Sequence, residues 1–151
     1  MYKKSITHYI AKTVIDVLFV LSIICVAATP MLSRWLFGWI RYSASDYLLP
    51  FTLILFFSGI CCVYILFNLK KMYRSLLSGN PFIDENVRHL RKIAVACAVI
   101  SLIYIIKCLF MFTFATIVIA AVFVVGCLFC LTLKDLFKQA INYKSENELT
   151  I

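Results

Sequence analysis

Few residues in this chain could do chemistry. Cys127 and Cys130 stand three apart, the spacing of a redox or zinc-ligating pair. A second such pair and the polar surroundings of a zinc site are absent. Reactive thiols also need electropositive, accessible settings. All seven cysteines (Cys25, Cys61, Cys62, Cys97, Cys108, Cys127 and Cys130) lie in apolar stretches. They read as small packing residues, with a membrane thiol sensor as the alternative. There are two histidines, His8 and His89. No HExxH, GxSxG, P-loop or Rossmann glycine pattern occurs. The sequence therefore predicts no enzyme, no cofactor and no metal. Asp16 is the one acid inside the first apolar stretch, and an acid there is a functional hypothesis by default. Lys12, four residues earlier, predicts a structural ion pair with it; a proton or cation site is the alternative. Lys107 is the only charge between Ile93 and Leu133. It is expected to extend its amine to the headgroups, against a buried ion or substrate contact.

The elements that must position these residues follow from composition. The chain has 151 residues, 64% hydrophobic and 15% charged, with mean hydropathy +0.98. A soluble domain is about 45–50% apolar and about 25% charged. A soluble monomer is excluded, and so is a disordered chain, which would be apolar-poor. Net charge is +8, from 15 Lys and Arg against 7 Asp and Glu. In an embedded protein such an excess reflects basic loops beside anionic lipid, so direct nucleic-acid binding is not expected.

A crossing helix needs about 20 apolar residues. Val14–Leu32 and Tyr47–Leu69 each supply one. A secretory signal peptide competes for the first, but Asp16 and the length of the stretch favour a retained helix. Ile93–Leu133 is 41 residues, about twice the core thickness as one helix. It must fold back between Lys107 and Thr113. The prediction is an all-α integral membrane four-helix bundle in one domain, residues 1–151. Its spans are about 14–32, 47–69, 88–108 and 113–133, with a loop at 70–92 and a tail at 134–151. The third helix is expected to begin near Asp84.

Lys and Arg set the orientation. Twelve of the fifteen fall in the N-terminal segment, the 70–92 loop and the tail. The positive-inside rule then places both termini and that loop in the cytoplasm. The outer segment Ser33–Asp46 carries Trp35, Trp39 and Tyr42, with Tyr47 just beyond it. It reads as a short interfacial helix, or alternatively as an aromatic binding patch. Ser58, Gly59 and Gly126 are small enough to allow close helix approach.

Polar information is concentrated in two segments on the predicted cytoplasmic side. In the first, Gly79 to Pro81 makes a turn. Asp84 can cap a new helix, with Glu85 favourable in its first turn. Val87, Leu90 and Ala94 recur at helical spacing, while Arg88, Arg91 and Lys92 present charge. The second is the tail. Leu136, Phe137, Ala140 and Ile141 make an apolar stripe, which predicts a juxtamembrane helix continuing the fourth span.

Gly79, Pro81, Phe82, Glu85, Asn86, Val87, Leu90 and Arg91, followed by Phe137, Glu146, Asn147, Leu149, Thr150 and Ile151, form a pattern that resembles the bacterial membrane family called domain of unknown function 2975. Glu148 stands where that family usually has Asp, which keeps the charge. The resemblance implies four spans and a bacterial cytoplasmic membrane. It also implies a small Cro/C1-type helix-turn-helix regulator as partner. The interaction motif expected on this basis comprises Gly79, Pro81, Phe82, Glu85, Asn86, Arg88, Arg91, Glu146, Asn147, Glu148, Leu149, Thr150 and Ile151. The acidic tail is expected to dock on Arg88 and Arg91, with Leu149 and Ile151 beside Phe82; a solvated tail is the alternative. The functional expectation is a non-enzymatic sensor or anchor controlling that regulator. The alternative is a small transport or immunity protein binding an apolar compound or peptide, although the absence of charge in the second span argues against ion transport.

Overall fold

The protein was examined as a computed structural model, which describes residues 6–40, 48–78, 82–110 and 112–148. Five helices follow one another: α1 (Ile6–Ala27), α2 (Thr29–Ile40), α3 (Leu48–Leu77), α4 (Asp84–Phe110) and α5 (Phe114–Glu148). Among the described residues there is no strand. All but α2 are long and apolar enough to cross a membrane. The molecule is an all-α bundle, and its outward apolar surface is that of a multi-pass membrane protein.

The helix ends have local causes. The first apolar stretch is not one helix to Leu32. It breaks at Ala28, where Pro30, two residues on, has no N–H to donate back into α1. The Thr29 hydroxyl instead donates to the Cys25 carbonyl at 3.1 Å. Helix α4 begins at Asp84. The Ile83 carbonyl accepts its first backbone bond from Asn86 at 3.0 Å. Asp84 and Glu85 lie in the first turn, where the helix dipole favours acids. The 93–133 run folds back between Phe110 and Phe114, and the Thr113 carbonyl accepts from the Thr116 N–H at 2.8 Å to open α5. At 35 residues, α5 is about 52 Å long. It therefore runs well past a hydrocarbon core of about 30 Å and continues the span through residues 134–148 of the tail.

Packing places α4 in the middle. It lies against α3 on one side and α5 on the other, while α1 and α2 pack on α3. Besides Asn86 and His89, its buried residues are Leu90, Ile93, Ala94, Ala96, Cys97, Ile100, Ser101 and Tyr104. Several are small, which lets helix axes approach. The Ser101 hydroxyl donates to the Ala120 carbonyl of α5 at 3.3 Å. Cys127 and Cys130 pack with Cys97 in the same apolar cluster.

The α1–α3 contact is antiparallel with a steady register. Asp16 meets Lys70, Phe19 meets Phe67 with ring centroids 6.3 Å apart, and Val26 meets Gly59. A Cβ on Gly59 would lie 2.7 Å from Val26 Cγ2, whereas one on Gly126 would meet Cys97 Sγ at 3.9 Å. Gly59 is thus required by the approach of α1, and Gly126 is not required by that of α4.

Two expected placements change. Asp16 pairs with Lys70 Nζ of α3 at 2.8 Å, not with Lys12 of its own helix. The α1–α3 register brings that lysine opposite, and its amine also lies over the Phe19 ring, 5.3 Å from the centroid. Lys107 does not simply reach outward. Its amine donates to the buried Thr116 hydroxyl at 3.2 Å and lies 5.2 Å and 5.7 Å from the Phe51 and Tyr104 ring centroids. The α4–α5 turn brings Thr116 close, so the amine also has an internal acceptor and two ring faces beside it.

Candidate functional site

The polar side chains gather where the C-terminal part of α3 meets the start of α4. Asn68, Asn86 and His89 are 2%, 0% and 5% exposed. Buried polar groups this close to apolar spans require partners. Asn68 Nδ2 donates to the Tyr64 carbonyl one turn back at 2.8 Å. Its Oδ1 is therefore an acceptor, and it lies 2.8 Å from His89 Nδ1. That pairing places the histidine proton on Nδ1 and leaves a lone pair on Nε2. His89 Nε2 is buried without a hydrogen bond, with Glu85 Oε1 3.7 Å away. One turn earlier, Asn86 Nδ2 donates to Ser75 Oγ of α3 at 3.2 Å. Two carboxamides and an imidazole thus join α3 to α4.

These groups border a cavity of about 410 Å³, lined by Lys71, Arg74, Ser75, Ser78, Ile83, Glu85, Asn86 and His89. Two cations, one acid, hydroxyls and an imidazole acceptor give it the character of a small polar binding site. Protonation of His89 would turn Nε2 into a donor facing Glu85, so the arrangement can couple a proton to the α3–α4 contact. Among the described residues no three His, Cys, Asp or Glu side chains are grouped to hold a metal ion.

The residues singled out by sequence divide. Phe82 lies just before α4, and its ring packs on Phe137 of α5 with centroids 5.3 Å apart. This contact joins the two motif segments across the bundle end. Glu85 and Asn86 line the polar cavity, whereas Arg88 and Arg91 line a separate groove between α3 and α4. Arg88 is about 140° around α4 from Ser101, the residue bonded to α5, at 3.6 residues per turn. Glu146 and Asn147 are exposed in the last turn of α5. Gly79, Pro81, Leu149, Thr150 and Ile151 lie outside the described residues, as does the side chain of Glu148, so the docking of the tail falls there too. Trp35 is exposed on α2; the Trp39 side chain, Tyr42 and Tyr47 also lie outside the description.

Asn68, Ser75 and His89 are the site residues that sequence reasoning missed. The available signal was Asn68, a carboxamide inside the second apolar run, together with His89 next to Arg88 in a helix start. Their separation of 21 positions hides the pair from any local pattern.

The model of the family described as "Protein of unknown function (DUF2975)" matches residues 38–151. The chain belongs to this family. No curated protein and no solved structure matches it.

Proposed function

Proceeding from that membership, we propose that the protein is a non-enzymatic sensor or anchor in a bacterial cytoplasmic membrane, with both termini and the 70–92 loop in the cytoplasm. Its cytoplasmic end holds a small Cro/C1-type helix-turn-helix regulator and controls its availability. The observation that carries this reading is the Phe82–Phe137 contact, which makes one surface of the two segments that the family pattern singles out. The polar cavity beside it gives that surface a place to register a signal. The distribution of Lys and Arg supports the orientation.

Co-purification tests the reading. A co-expressed regulator encoded beside the protein is expected to stay with it in detergent. Phe82→Ala with Phe137→Ala is expected to release the regulator while the bundle stays folded. Failure of any such regulator to co-purify would end the proposal. The orientation has its own test: an impermeant thiol reagent is expected to leave Tyr143→Cys unlabelled in intact cells.

A second reading, transport or immunity through an apolar compound, rests on a groove of about 470 Å³ at the far end. Pro50, Phe51, Ile54, Ile106, Lys107 and Phe110 are among its lining residues. Altered sensitivity to a toxic apolar compound on deletion, with transcription unchanged, favours it over the first.

A further inference from the structure

The groove holding Arg88 and Arg91 is distinct from the polar cavity. It has a volume of about 650 Å³ and runs between α3 and α4. Ile60, Cys61 and Tyr64 line it from α3; Arg88, Arg91, Lys92, Val95, Ala96 and Val99 line it from α4. Arg88, Arg91 and Lys92 stand at i, i+3 and i+4, so they share one helix face. Val95 and Val99 continue that face for two more turns toward the bilayer interior. The three cations are exposed, no acid lines the groove, and among the described residues none of the three forms an ion pair. The charges lie where the apolar run of α4 begins, the place at which a span meets the headgroups. Below them the wall is almost wholly apolar.

We infer that this groove is a binding site for an anionic phospholipid of the surrounding leaflet. The phosphate lies on Arg88, Arg91 and Lys92, and an acyl chain runs along Tyr64, Val95, Ile60 and Val99. Charge complementarity selects the headgroup: two guanidiniums can each give a phosphodiester two parallel donors, and the lysine adds a point charge. A zwitterionic headgroup would bring its own cation against these three. A free anion would satisfy the rim but leave the apolar wall empty. Basic pockets between spans bind anionic lipid headgroups. The inference is independent of the regulator and of the orientation.

The test uses the full-length protein in nanodiscs containing phosphatidylglycerol and phosphatidylcholine, with lipid retained after detergent extraction counted by native mass spectrometry. Phosphatidylglycerol is expected to be retained in preference, and inorganic phosphate is expected not to displace it. The combined variant Arg88→Gln, Arg91→Gln, Lys92→Gln is expected to lose that preference by on the order of a hundredfold, at about one kcal/mol per cation. Val95→Trp fills the groove with every cation intact and is expected to reduce retention as well. Lys134→Gln, Lys138→Gln, Lys144→Gln removes the same charge from α5 and is expected to leave the preference unchanged. Equal loss in the α5 variant, an unaffected groove variant, or displacement by phosphate alone would each overturn the inference.

Discussion

The most apolar windows of α1 and α4 have similar mean hydropathy, 2.4 and 2.5, yet they occupy opposite situations. Of the most apolar window in each, 6% is buried in α1 and 33% in α4. In water the more apolar helix goes inside. In a bilayer, lipid tails solvate apolar side chains as well as protein does, so burial goes to helices that pack closely or carry groups needing partners. Helix α4 has both: Ala94, Ala96, Cys97 and Ser101 for approach, Asn86 and His89 for hydrogen bonds. Helix α1 offers Val, Leu and Ile to its surroundings and is held to the bundle through Asp16 and the Gly59 gap. The family match covers all of α4 and none of α1, in keeping with a central helix and a peripheral one.

The contrast can be broken most directly in the core. Ile100→Ala, at a side chain with 0% exposure, is expected to cost about 2–3 kcal/mol through the cavity it leaves. Ile24→Ala on α1, 58% exposed, is expected to change stability by less than about 0.5 kcal/mol. Denaturant unfolding in mixed micelles measures both. Equal effects would mean that α4 is not the packing centre.

Polar partnering comes next. Asn68→Leu leaves His89 Nδ1–H without its acceptor and is expected to cost about 1–2 kcal/mol. The pair Asn68→Leu, His89→Leu is expected to cost less than the sum of the two single changes. Additivity in that cycle would remove the hydrogen bond as a reason for α4's burial.

Gly59→Ala sharpens the α1 side. Its Cβ meets Val26, so α1 must shift, at about 1 kcal/mol. Gly126→Ala is expected to be neutral in the same measurement. The smallest effect belongs to Asp16→Asn. The Asp16–Lys70 pair is partly exposed, with side chains 36% and 29% accessible, and its loss is expected to cost about 0.5 kcal/mol, less in high salt.

Much of this was legible from local features. The 41-residue run with one charge required a hairpin because its length exceeds the bilayer. Pro81 and Asp84 marked a new helix because one cannot continue the preceding helix and the other suits a first turn. The break at Ala28 was not seen, although Pro30 was present, because proline near a helix end is normally harmless. The partner of Asp16 was misjudged, and the Thr116 contact of Lys107 was not foreseen, for a different reason. Sequence offers only neighbours one turn away, while their actual partners, Lys70 and Thr116, come from other helices.

By itself, the sequence determined that this chain is embedded, that its apolar runs make four long helices, and which end carries its charge, because hydropathy, turn chemistry and charge counts are local properties. Only the tertiary structure decided that α4 is central, that Phe82 rests on Phe137, that Asn68 binds His89, and that Arg88, Arg91 and Lys92 crown an apolar groove. Those facts depend on the rotation and register of one helix against another. Register is fixed by small residues and paired polar groups far apart in the chain, and apolar periodicity carries little of it when lipid surrounds every helix.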